Sequence, residues 1–413
     1  MSETPPKVIL VAFACEPGKG SEEGVGWAWL KAATEVAAVT VLTTPRTAPI
    51  VREATEELGL SVDVVAVDLP PATLRLFPKK LIFVYYVLWQ TLASKAVRRI
   101  ERSQPIAAVH HITWASDSLP SALLASQAPV RIWGPVGGST RTARGLYQYL
   151  GRRGQLDQAF RDVVNGVLRR LFGLRVARHA TLVVAVNHDV ADEFASCGTP
   201  VTLENNLALD HAELAATEGS TDILATPADG SGEGLRTLLF VGRLIPWKGL
   251  LLAVRVMAHA PGWRLVVAGE GPDRPGAEQL AAELGVADRI TFTGLVPRTD
   301  VLAAFGRADA MLMVSYHDSG PWSVGEASAL GCPIVCLDAG GHSLMAGKNG
   351  HVVPVGDGRR LPERIAEALD QVQERGEPDL RWSGDRLPGV LRAWYAGEAD
   401  GATAESTAEE ASR

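Results

Sequence analysis

Two basic residues five positions apart follow a strand-like run in the second half of the chain. The run Leu238–Val241 ends at Gly242, and Arg243 and Lys248 come next, before a helix-compatible segment. Ligands of open α/β sheets bind at the carboxyl ends of strands. A guanidinium and an ammonium there could neutralise a diphosphate, although a pair of solvated surface charges is the commoner arrangement. The position after a strand favours the anion site.

Two carboxylates, Asp318 and Glu326, are separated by eight positions further along the chain. Pro321 suits the first turn of a helix, so Asp318 would lie just before that helix and Glu326 two turns inside it. Backbone amides at Ser319 and Gly320 would then lie at the positive end of the helix. The carboxylates could reach different parts of one extended ligand, with Glu326 accepting hydrogen bonds from a diol such as a ribose. A capping aspartate and a solvent-facing glutamate are the alternative.

A glycine-rich loop follows the first strand-like run, Val8–Phe13, and precedes a segment that is compatible with a helix. Gly24 and Gly26 would let the backbone approach a ligand closely, and a helix N-terminus can bind phosphate. A flexible surface turn explains the glycines equally well. Their spacing is not G-x-G-x-x-G, and no acidic residue ends the second strand. These two points argue against a dinucleotide-dependent dehydrogenase.

Two adjacent histidines, His110 and His111, stand at the end of the fourth strand-like run. Side chains alternate between the two faces of a strand, so only one of the two is expected to face a ligand. We favour His111, which is nearer the following loop. The other is expected to be a core imidazole.

Strand-like and helix-like segments alternate along the whole chain, with a pause in the middle. Continuous apolar strands separated by helices predict parallel sheets covered on both faces, hence an α/β protein with two doubly wound, Rossmann-like domains facing a central cleft. We predict an N-terminal domain at 1–210, a linker at 211–234, a C-terminal domain at 235–385, a C-terminal helix at 386–396 and a disordered tail at 397–413. The further predicted strands are Val39–Thr43, Val62–Val67, Ala107–His110, Val130–Ile132, Leu182–Val186, Leu265–Ala268, Ile290–Thr293, Ala310–Val314, Ile334–Leu337 and Val352–Val353.

Composition excludes several classes of protein. The 413 residues include 40 Lys and Arg against 47 Asp and Glu, a net charge of −7, which argues against a nucleic-acid binder. The four cysteines form no C-x-x-C pair and the histidines form no H-E-x-x-H motif, so we expect no metal site. Neither a secretory signal nor an apolar stretch of about 20 residues is evident, so we expect a cytoplasmic protein.

Four sequence blocks in the second half, in this order, resemble the C-terminal half of family-4 glycosyltransferases of the GT-B fold. They are Val241-Gly242-Arg243 with Lys248-Gly249, Val267–Pro272, Phe292–Val296, and Asp318-x7-Glu326 followed by Ala329-Leu330-Gly331. The first half is similar to one branch of that family through Ala14–Trp27, His110–Thr113 and Trp133–Gly138. The resemblance covers nearly the whole chain and is stronger in the second half.

The resemblance implies a retaining transferase that uses a nucleotide-diphosphate sugar, with UDP or GDP as the usual nucleotide and with no metal or other cofactor. By that pattern Arg243 and Lys248 contact the diphosphate, Glu326 binds the ribose, and Asp318 with the backbone at Ser319 and Gly320 faces the donor sugar. The remaining implied contacts are Gly294 to Val296 beside the base, Gly24 or Gly26 over the phosphates, and His111 on the donor sugar. Position after a strand, not the resemblance, suggests Asp117 as an acceptor contact. Gly137 and Gly138 form another turn after a strand, which either lies beside the acceptor or is a plain turn.

One departure concerns Asp318, because the family motif usually has glutamate at both ends. An aspartate is shorter by one methylene, so its reach changes by about an ångström, which is enough to alter donor preference or rate. Asp318 is still an anion at the position of the family's glutamate, which favours an enzyme over a binding protein that has lost its activity.

Several alternatives stay open at this stage. The acceptor could be a polysaccharide or other sugar, a lipid carrier or a small natural-product aglycone. The apolar segment Leu76–Trp89 is expected to be a core helix, with docking to the inner face of a membrane as the alternative. A nucleotide-sugar epimerase of similar build and a non-catalytic sugar-nucleotide-binding partner protein are the rival functions.

Overall fold

The computed structural model describes residues 5–68, 82–215, 222–225 and 234–398. The chain forms two compact units. The first unit comprises Met1–Ser139, Val163–Ala208 and Arg381–Arg413, and the second comprises Thr140–Asp162 and Leu209–Leu380.

These units depart from the two continuous domains predicted at 1–210 and 235–385. Leu146 and Leu150 explain the first difference, since both are buried in the core of the second unit. The C-terminal helix explains the second, because Trp394 stacks on Trp29 of the first unit with ring centroids 6.1 Å apart. Contacts of this kind join segments that are far apart in sequence, so no composition shift marks them.

The first unit contains a seven-stranded parallel sheet in the order β3-β2-β1-β4-β5-β6-β7. Its strands are Lys7–Ala12 (β1), Ala38–Thr43 (β2), Val62–Ala66 (β3), Ala108–Thr113 (β4), Val130–Val136 (β5), Leu182–Ala185 (β6) and Val201–Leu203 (β7). The helices described up to residue 194 are Ser21–Thr34 (α1), Ala48–Glu57 (α2), Ile82–Ser103 (α3), Arg152–Leu168 (α4), Leu174–His179 (α5) and His188–Phe194 (α6). Helix α4 begins in the second unit and ends in the first, where a π-helical turn at Arg169–Gly173 follows it.

The second unit contains a six-stranded parallel sheet in the order β10-β9-β8-β11-β12-β13. Its strands are Arg236–Val241 (β8), Trp263–Ala268 (β9), Ile290–Gly294 (β10), Ala310–Met313 (β11), Ile334–Leu337 (β12) and Gly350–Val353 (β13). The described helices that follow α6 are His211–Ala215 (α7), Leu250–Met257 (α8), Arg274–Glu283 (α9), Arg298–Phe305 (α10), Trp322–Ala329 (α11), His342–Ala346 (α12), Leu361–Gln371 (α13) and Leu387–Tyr395 (α14), the last of which lies in the first unit.

The predicted fold class, two α/β units each built on a parallel sheet, is confirmed. Each predicted strand is present within a few residues. The apolar runs of central strands such as β1, β4, β9, β11 and β12 are buried on both sheet faces, while the edge strands β3, β10 and β13 are partly exposed. The sequence missed β7, which has only three residues. Residues 211–215 of the predicted linker form α7, and the predicted tail lies outside the described residues beyond Glu398.

The apolar segment Leu76–Trp89 is described only from Ile82 onward, where it forms the start of α3. Tyr86 and Trp89 are fully buried there, as a core helix requires, whereas Phe83 is 60% exposed. None of the helices in the described part of the chain is long and apolar enough to cross a bilayer.

Candidate active site

The loops after β8, β9 and β10 are joined by backbone hydrogen bonds at one edge of the second sheet. The Gly242 amide donates to the Ala268 carbonyl at 3.0 Å, and the Gly269 amide donates to the Gly294 carbonyl at 2.8 Å. These strands are neighbours in the sheet, so their carboxyl ends bring the predicted diphosphate and base loops together. The joined loops form a fixed backbone platform.

Glycine is required where these loops meet. Gly269 has φ +153°, and a Cβ added there would lie 1.9 Å from the Gly242 carbonyl oxygen. A Cβ added to Gly271 would lie 2.3 Å from the Leu244 carbonyl oxygen. Any side chain at either place would push the loops apart, so these glycines fix the spacing of the platform.

Lys248 and Asp318 form an ion pair within the second unit. Two residues expected to contact the same donor molecule therefore lie side by side. Lys248 follows β8 and Asp318 follows β11, and these two strands are paired. Both side chains are largely buried, with 19% and 17% exposure. The pair therefore holds an ammonium and a carboxylate side by side at the carboxyl edge of the sheet.

An aromatic pair supports this ion pair. Trp247 stacks on His317 with ring centroids 4.7 Å apart, and the Lys248 ammonium lies 4.7 Å from the Trp247 ring centre. Arg161 approaches His317 Nδ1 at 3.2 Å. Burial, followed by the Arg161 charge, lowers the pKa of His317 to about 4, so this imidazole is neutral at pH 7.

Arg243 is exposed, unlike Lys248, and its guanidinium carbon lies 5.9 Å from the Trp247 ring centre. The shared neighbour places both cations around one indole. Arg243 therefore lies in the same loop cluster as Lys248, but at its solvent side.

The segment before α11 packs on a glycine pair that the sequence analysis did not single out. A Cβ on Gly340 would lie 2.2 Å from the Asp318 carbonyl oxygen, and one on Gly341 would lie 2.1 Å from that of Ser319. The Gly341 amide donates to the Asp318 carbonyl at 2.9 Å. Gly340 and Gly341 follow β12, the neighbour of β11, so two strand-end loops interlock there and fix Asp318, Ser319 and Gly320.

Glu326 lies in α11, which begins at Trp322, one residue after Pro321. Glu326 is therefore just over one turn inside the helix rather than two. Its side chain is 8% exposed and accepts two hydrogen bonds from Arg298, from Nε at 3.0 Å and from Nη2 at 2.8 Å, both at Oε1.

Arg298 is the functional candidate that sequence reasoning missed. It begins α10, directly after the predicted base loop that contains Gly294 and Val296, and it also pairs with Glu213 at 2.5 Å. Its position after β10, at the same sheet edge as Lys248, is the signal that could have indicated it. The structure thus places the predicted base loop beside the carboxylate predicted to bind the ribose.

His111 lies in the interior of the first unit and not at a ligand-facing edge. Strand β4 continues to Thr113, so neither histidine ends it. The His111 ring contacts the Ser121 hydroxyl at 2.8 Å and the Thr113 carbonyl at 3.1 Å, and it is 1% exposed. His110, on the other face, contacts the Gly134 carbonyl at 2.8 Å. Both are core imidazoles in this unit, which corrects the role predicted for His111.

Gly24 and Gly26 lie inside α1, because this helix begins at Ser21 and not near Trp27. A Cβ on Gly26 would lie 2.1 Å from the Ala14 carbonyl oxygen, so this glycine permits α1 to pack against the backbone after β1. The prediction of a phosphate loop at these two positions is therefore corrected to a helix-packing role for Gly26.

Asp117 is fully engaged by its own unit and is not an exposed acceptor contact. Arg169 Nε donates to its Oδ2 at 2.6 Å, and the Ser139 amide and hydroxyl donate to the same oxygen at 2.8 and 2.9 Å. Gly138, at φ +117°, lies so close that a Cβ would be 2.2 Å from Oδ1. The Gly137 carbonyl accepts the Asp117 amide at 3.1 Å. These residues build a buried turn.

In the part of the chain that the structure describes, no group of three or more His, Cys, Asp or Glu side chains is arranged to hold a metal ion.

The second unit also carries the family assignment. Residues 226–381 match the family model described as Glycosyl transferases group 1. Arg243, Lys248, Arg298, Asp318 and Glu326 all lie inside this matched segment.

Curated relatives are similar over part of the chain. A D-inositol 3-phosphate glycosyltransferase from Mycolicibacterium smegmatis is 33% identical over 163 residues, which are 38% of this chain and 37% of that protein. A 2-deoxystreptamine glucosyltransferase from Streptomyces kanamyceticus is 34% identical over 120 residues, 28% of this chain and 31% of that protein. The chain thus spans about a third of the length of these glycosyltransferases.

Solved structures match the fold over nearly the whole chain. Sucrose-phosphate synthase from Thermosynechococcus elongatus matches with a TM-score of 0.56 at 17% identity, covering 98% of this chain and 97% of that one. The lipopolysaccharide outer core galactosyltransferase WaaB matches with 0.58 at 13%, covering 95% and 97%. Anabaena HepE in complex with UDP matches with 0.53 at 17%, covering 98% and 99%. The chain has the GT-B glycosyltransferase fold.

Proposed function

We propose that this protein transfers a sugar from a nucleotide-diphosphate sugar to an acceptor hydroxyl, with retention at the anomeric carbon and without a metal ion. The Lys248–Asp318 ion pair is the observation that carries the proposal. In this proposal the ion pair supplies a cation for the diphosphate and a carboxylate for the donor sugar, and both residues lie in the segment that matches the Glycosyl transferases group 1 model.

Lys248 and Arg243 bind the diphosphate. Negative charge grows on the leaving oxygen as the glycosidic bond breaks, so cations fixed beside that oxygen act mainly in the transition state. The Asp318 carboxylate and the Trp247 ring hold the Lys248 ammonium in place before the donor arrives. Such preorganisation means that no rearrangement is needed during the reaction.

Asp318, together with the backbone of Ser319 and Gly320, binds the donor sugar. Glu326 accepts hydrogen bonds from the ribose hydroxyls, and the Gly294–Val296 loop lies beside the base. Both hydrogen bonds that Arg298 donates to Glu326 end on Oε1, so Oε2 keeps its capacity to accept from the ribose. Arg298 is thus a positioning residue that orients the carboxylate.

The acceptor hydroxyl attacks the anomeric carbon on the face from which the diphosphate leaves. The bond between that carbon and the phosphate oxygen breaks, the bond to the acceptor oxygen forms, and the departing phosphate oxygen takes the hydroxyl proton. The products are the glycoside and the nucleoside diphosphate. No carboxylate of the enzyme becomes glycosylated.

A uridine or guanosine diphosphate sugar is the proposed donor. One structural neighbour, Anabaena HepE, has been solved with UDP and with UDP-glucose. The acceptor belongs to the sugars, lipid-linked sugars or small natural products, and docking at the inner face of a membrane remains a hypothesis alongside a cytoplasmic location.

The test is an incubation of the protein with UDP- and GDP-sugars, each with and without an acceptor mixture, followed by NMR of the anomeric proton. We expect release of the nucleoside diphosphate and a product that keeps the donor's anomeric configuration. Interconversion of sugars without an acceptor would indicate an epimerase instead. Tight nucleotide binding without transfer or hydrolysis would indicate a non-catalytic binding protein.

A further inference from the structure

A cavity of about 610 Å³ lies in the first unit, at the carboxyl ends of the four neighbouring strands β3, β2, β1 and β4. In this sheet the strand order reverses between β1 and β4, and such a point is where ligands of open α/β sheets bind. Small-molecule sites typically have about 300–1,000 Å³. The cavity therefore has both the place and the size of a site for a small molecule.

Aromatic rings form the apolar part of its lining. Phe13 lies 5.1 Å from Trp114 and 5.9 Å from Tyr85, measured between ring centroids, and all three residues line the cavity. Trp114 has φ +56°, and its amide donates to Glu22 Oε2 at 2.7 Å. This hydrogen bond fixes an unfavourable backbone conformation, so the indole is held at the cavity wall. Aromatic faces of this kind bind the apolar faces of rings and attract cations.

The charges of the lining are unbalanced toward negative. Among the residues that the structure describes, Glu23, Asp68 and Arg46 are the charged residues that line the cavity. Arg46 is 77% exposed and already pairs with Glu16 at 3.4 Å, which lies outside the lining. The side chain of Glu23 forms no ion pair with any described residue. The described part of the lining thus presents two carboxylates and one arginine, which is exposed and turned toward Glu16.

One carboxylate oxygen of Asp68, Oδ1, is buried and receives no hydrogen bond from the described residues. A buried acceptor without a partner is costly, and a ligand that donates to it recovers that cost. Burial and the negative charge of Asp68 both raise the pKa of Tyr85, which places this charge close to the aromatic wall.

We propose that this cavity binds the acceptor, and that the acceptor is a ring compound bearing an amine, such as an amino sugar or aminocyclitol. Its ammonium group donates to Asp68 and Glu23, and its ring packs on Phe13, Tyr85 and Trp114. The hydroxyl that becomes glycosylated is a different group of the same ring. This inference rests on the proposed function, since an acceptor exists only if the chain transfers a sugar.

The same lining disfavours a phosphorylated ring. A phosphate carries up to two negative charges and would meet Glu23 and Asp68, with Arg46 as the one cation that the described part of the lining offers. The two relatives described above differ in this respect. One is named for a phosphorylated ring, D-inositol 3-phosphate, and the other for a ring that bears amines, 2-deoxystreptamine. The carboxylates of the cavity favour the ring with amines over the phosphorylated ring.

The experiment compares three six-membered carbocycles of different charge by calorimetric titration into the full chain: 2-deoxystreptamine, myo-inositol and D-inositol 3-phosphate. We expect 2-deoxystreptamine to bind at least about tenfold more tightly than either of the others, because each charge-assisted hydrogen bond contributes about one such factor. Asp68→Asn should weaken its binding by about tenfold and leave myo-inositol binding unchanged. Asp63→Asn, an exposed carboxylate on β3, is the matched control.

Equal or tighter binding of the phosphorylated ring, or unchanged binding of the amine by Asp68→Asn, would overturn the inference. A Glu23→Gln variant repeats the test if Asp68→Asn does not fold. UDP and GDP are titrated into the same preparation. If a nucleotide binds but the amine does not, the acceptor inference fails and the proposed function stands. If neither nucleotide binds, the proposed function fails, whatever the amine does.

Discussion

Arg298 holds Glu326 through two hydrogen bonds to one carboxylate oxygen, at 3.0 and 2.8 Å, and thereby links the loop after β10 to helix α11. This pair joins the predicted base loop to the predicted ribose ligand. The Oε2 atom of Glu326 is not used by Arg298 and can still accept hydrogen bonds. The orientation of Glu326 therefore depends on a residue that touches no substrate in the proposed mechanism.

Substitution of Arg298 should weaken nucleotide binding without abolishing turnover. In Arg298→Ala, Glu326 loses its orientation, so we expect KM for the nucleotide sugar to rise by about tenfold while kcat changes little. Glu326→Ala should show the same pattern more strongly, and the double variant should add little. Arg307→Ala, on a largely exposed arginine of the same unit, is the control. Independent, additive effects of the two single variants would contradict the positioning role.

Gly269 should tolerate no side chain, although the proposed mechanism gives it no contact with a substrate. Its φ of +153° and the 1.9 Å contact that a Cβ would make with the Gly242 carbonyl both oppose Gly269→Ala. The backbone strain alone costs about 1–3 kcal/mol. We expect a lower melting temperature together with loss of nucleotide binding. Gly262→Ala, where a Cβ would meet nothing within 4 Å, should be close to neutral. Equal melting temperatures of the two variants would contradict the platform described here.

Removal of Arg169 should destabilise the first unit strongly. Arg169 is 7% exposed and bonds Asp117 at 2.6 Å and Glu193 at 2.9 Å. Arg169→Ala leaves Asp117 as a buried charge without its cation, which costs about 3–5 kcal/mol. Denaturant unfolding measures the loss, and the exposed neighbour Arg170 provides the control, since Arg170→Ala should change stability by less than about 0.5 kcal/mol. A matching small effect for Arg169→Ala would show that Asp117 finds other partners.

Buried histidines should make the protein less stable as the pH falls. Burial lowers the pKa of His110 to about 3 and that of His111 to about 4, from a usual value of 6.5. Below pH 6.5 the unfolded chain therefore binds protons that the folded chain does not, and each such histidine removes about 1.4 kcal/mol of stability per pH unit down to its folded pKa. Above pH 7 this contribution is constant.

The pH dependence of the free energy of unfolding between pH 7 and 5 measures this effect. We expect His110→Gln to reduce the slope by about one proton, while substitution of the exposed His188 with glutamine leaves it unchanged. A slope that is identical in wild type and His110→Gln would mean that the imidazole becomes protonated without unfolding.

The sequence predicts the architecture, and the location of Lys248 and Asp318 at one edge of a sheet, for one physical reason. Apolar runs buried on both faces identify parallel strands, and the carboxyl ends of such strands share an edge. Lys248 and Asp318 were both placed just after strands, so the fold had to bring them to the same edge. Their direct ion pair could not be predicted, because spacing along the chain does not determine side-chain direction.

The wrong predictions for His111 and Gly26 have a different cause, since they depend on where a strand ends or a helix begins. His111 was placed at a strand end, but β4 continues two residues further and buries it. Gly26 was placed before a helix that in fact begins at Ser21. Arg298 and Arg169 escaped notice because their partners lie 28 and 52 positions away in the sequence. Contacts at such separations become visible only in three dimensions.

The central claim is that the loop cluster of the second unit binds a nucleoside diphosphate through Lys248 and Arg243. Its most direct test is a calorimetric titration of UDP and GDP into the wild type and into Lys248→Ala and Arg243→Ala, with Lys348→Ala and Arg359→Ala as controls on exposed charges of the same unit. The account predicts that one nucleotide binds the wild type and both controls, and that each site variant loses about 1.5–3 kcal/mol of binding free energy. Wild-type affinity in both folded site variants would contradict it.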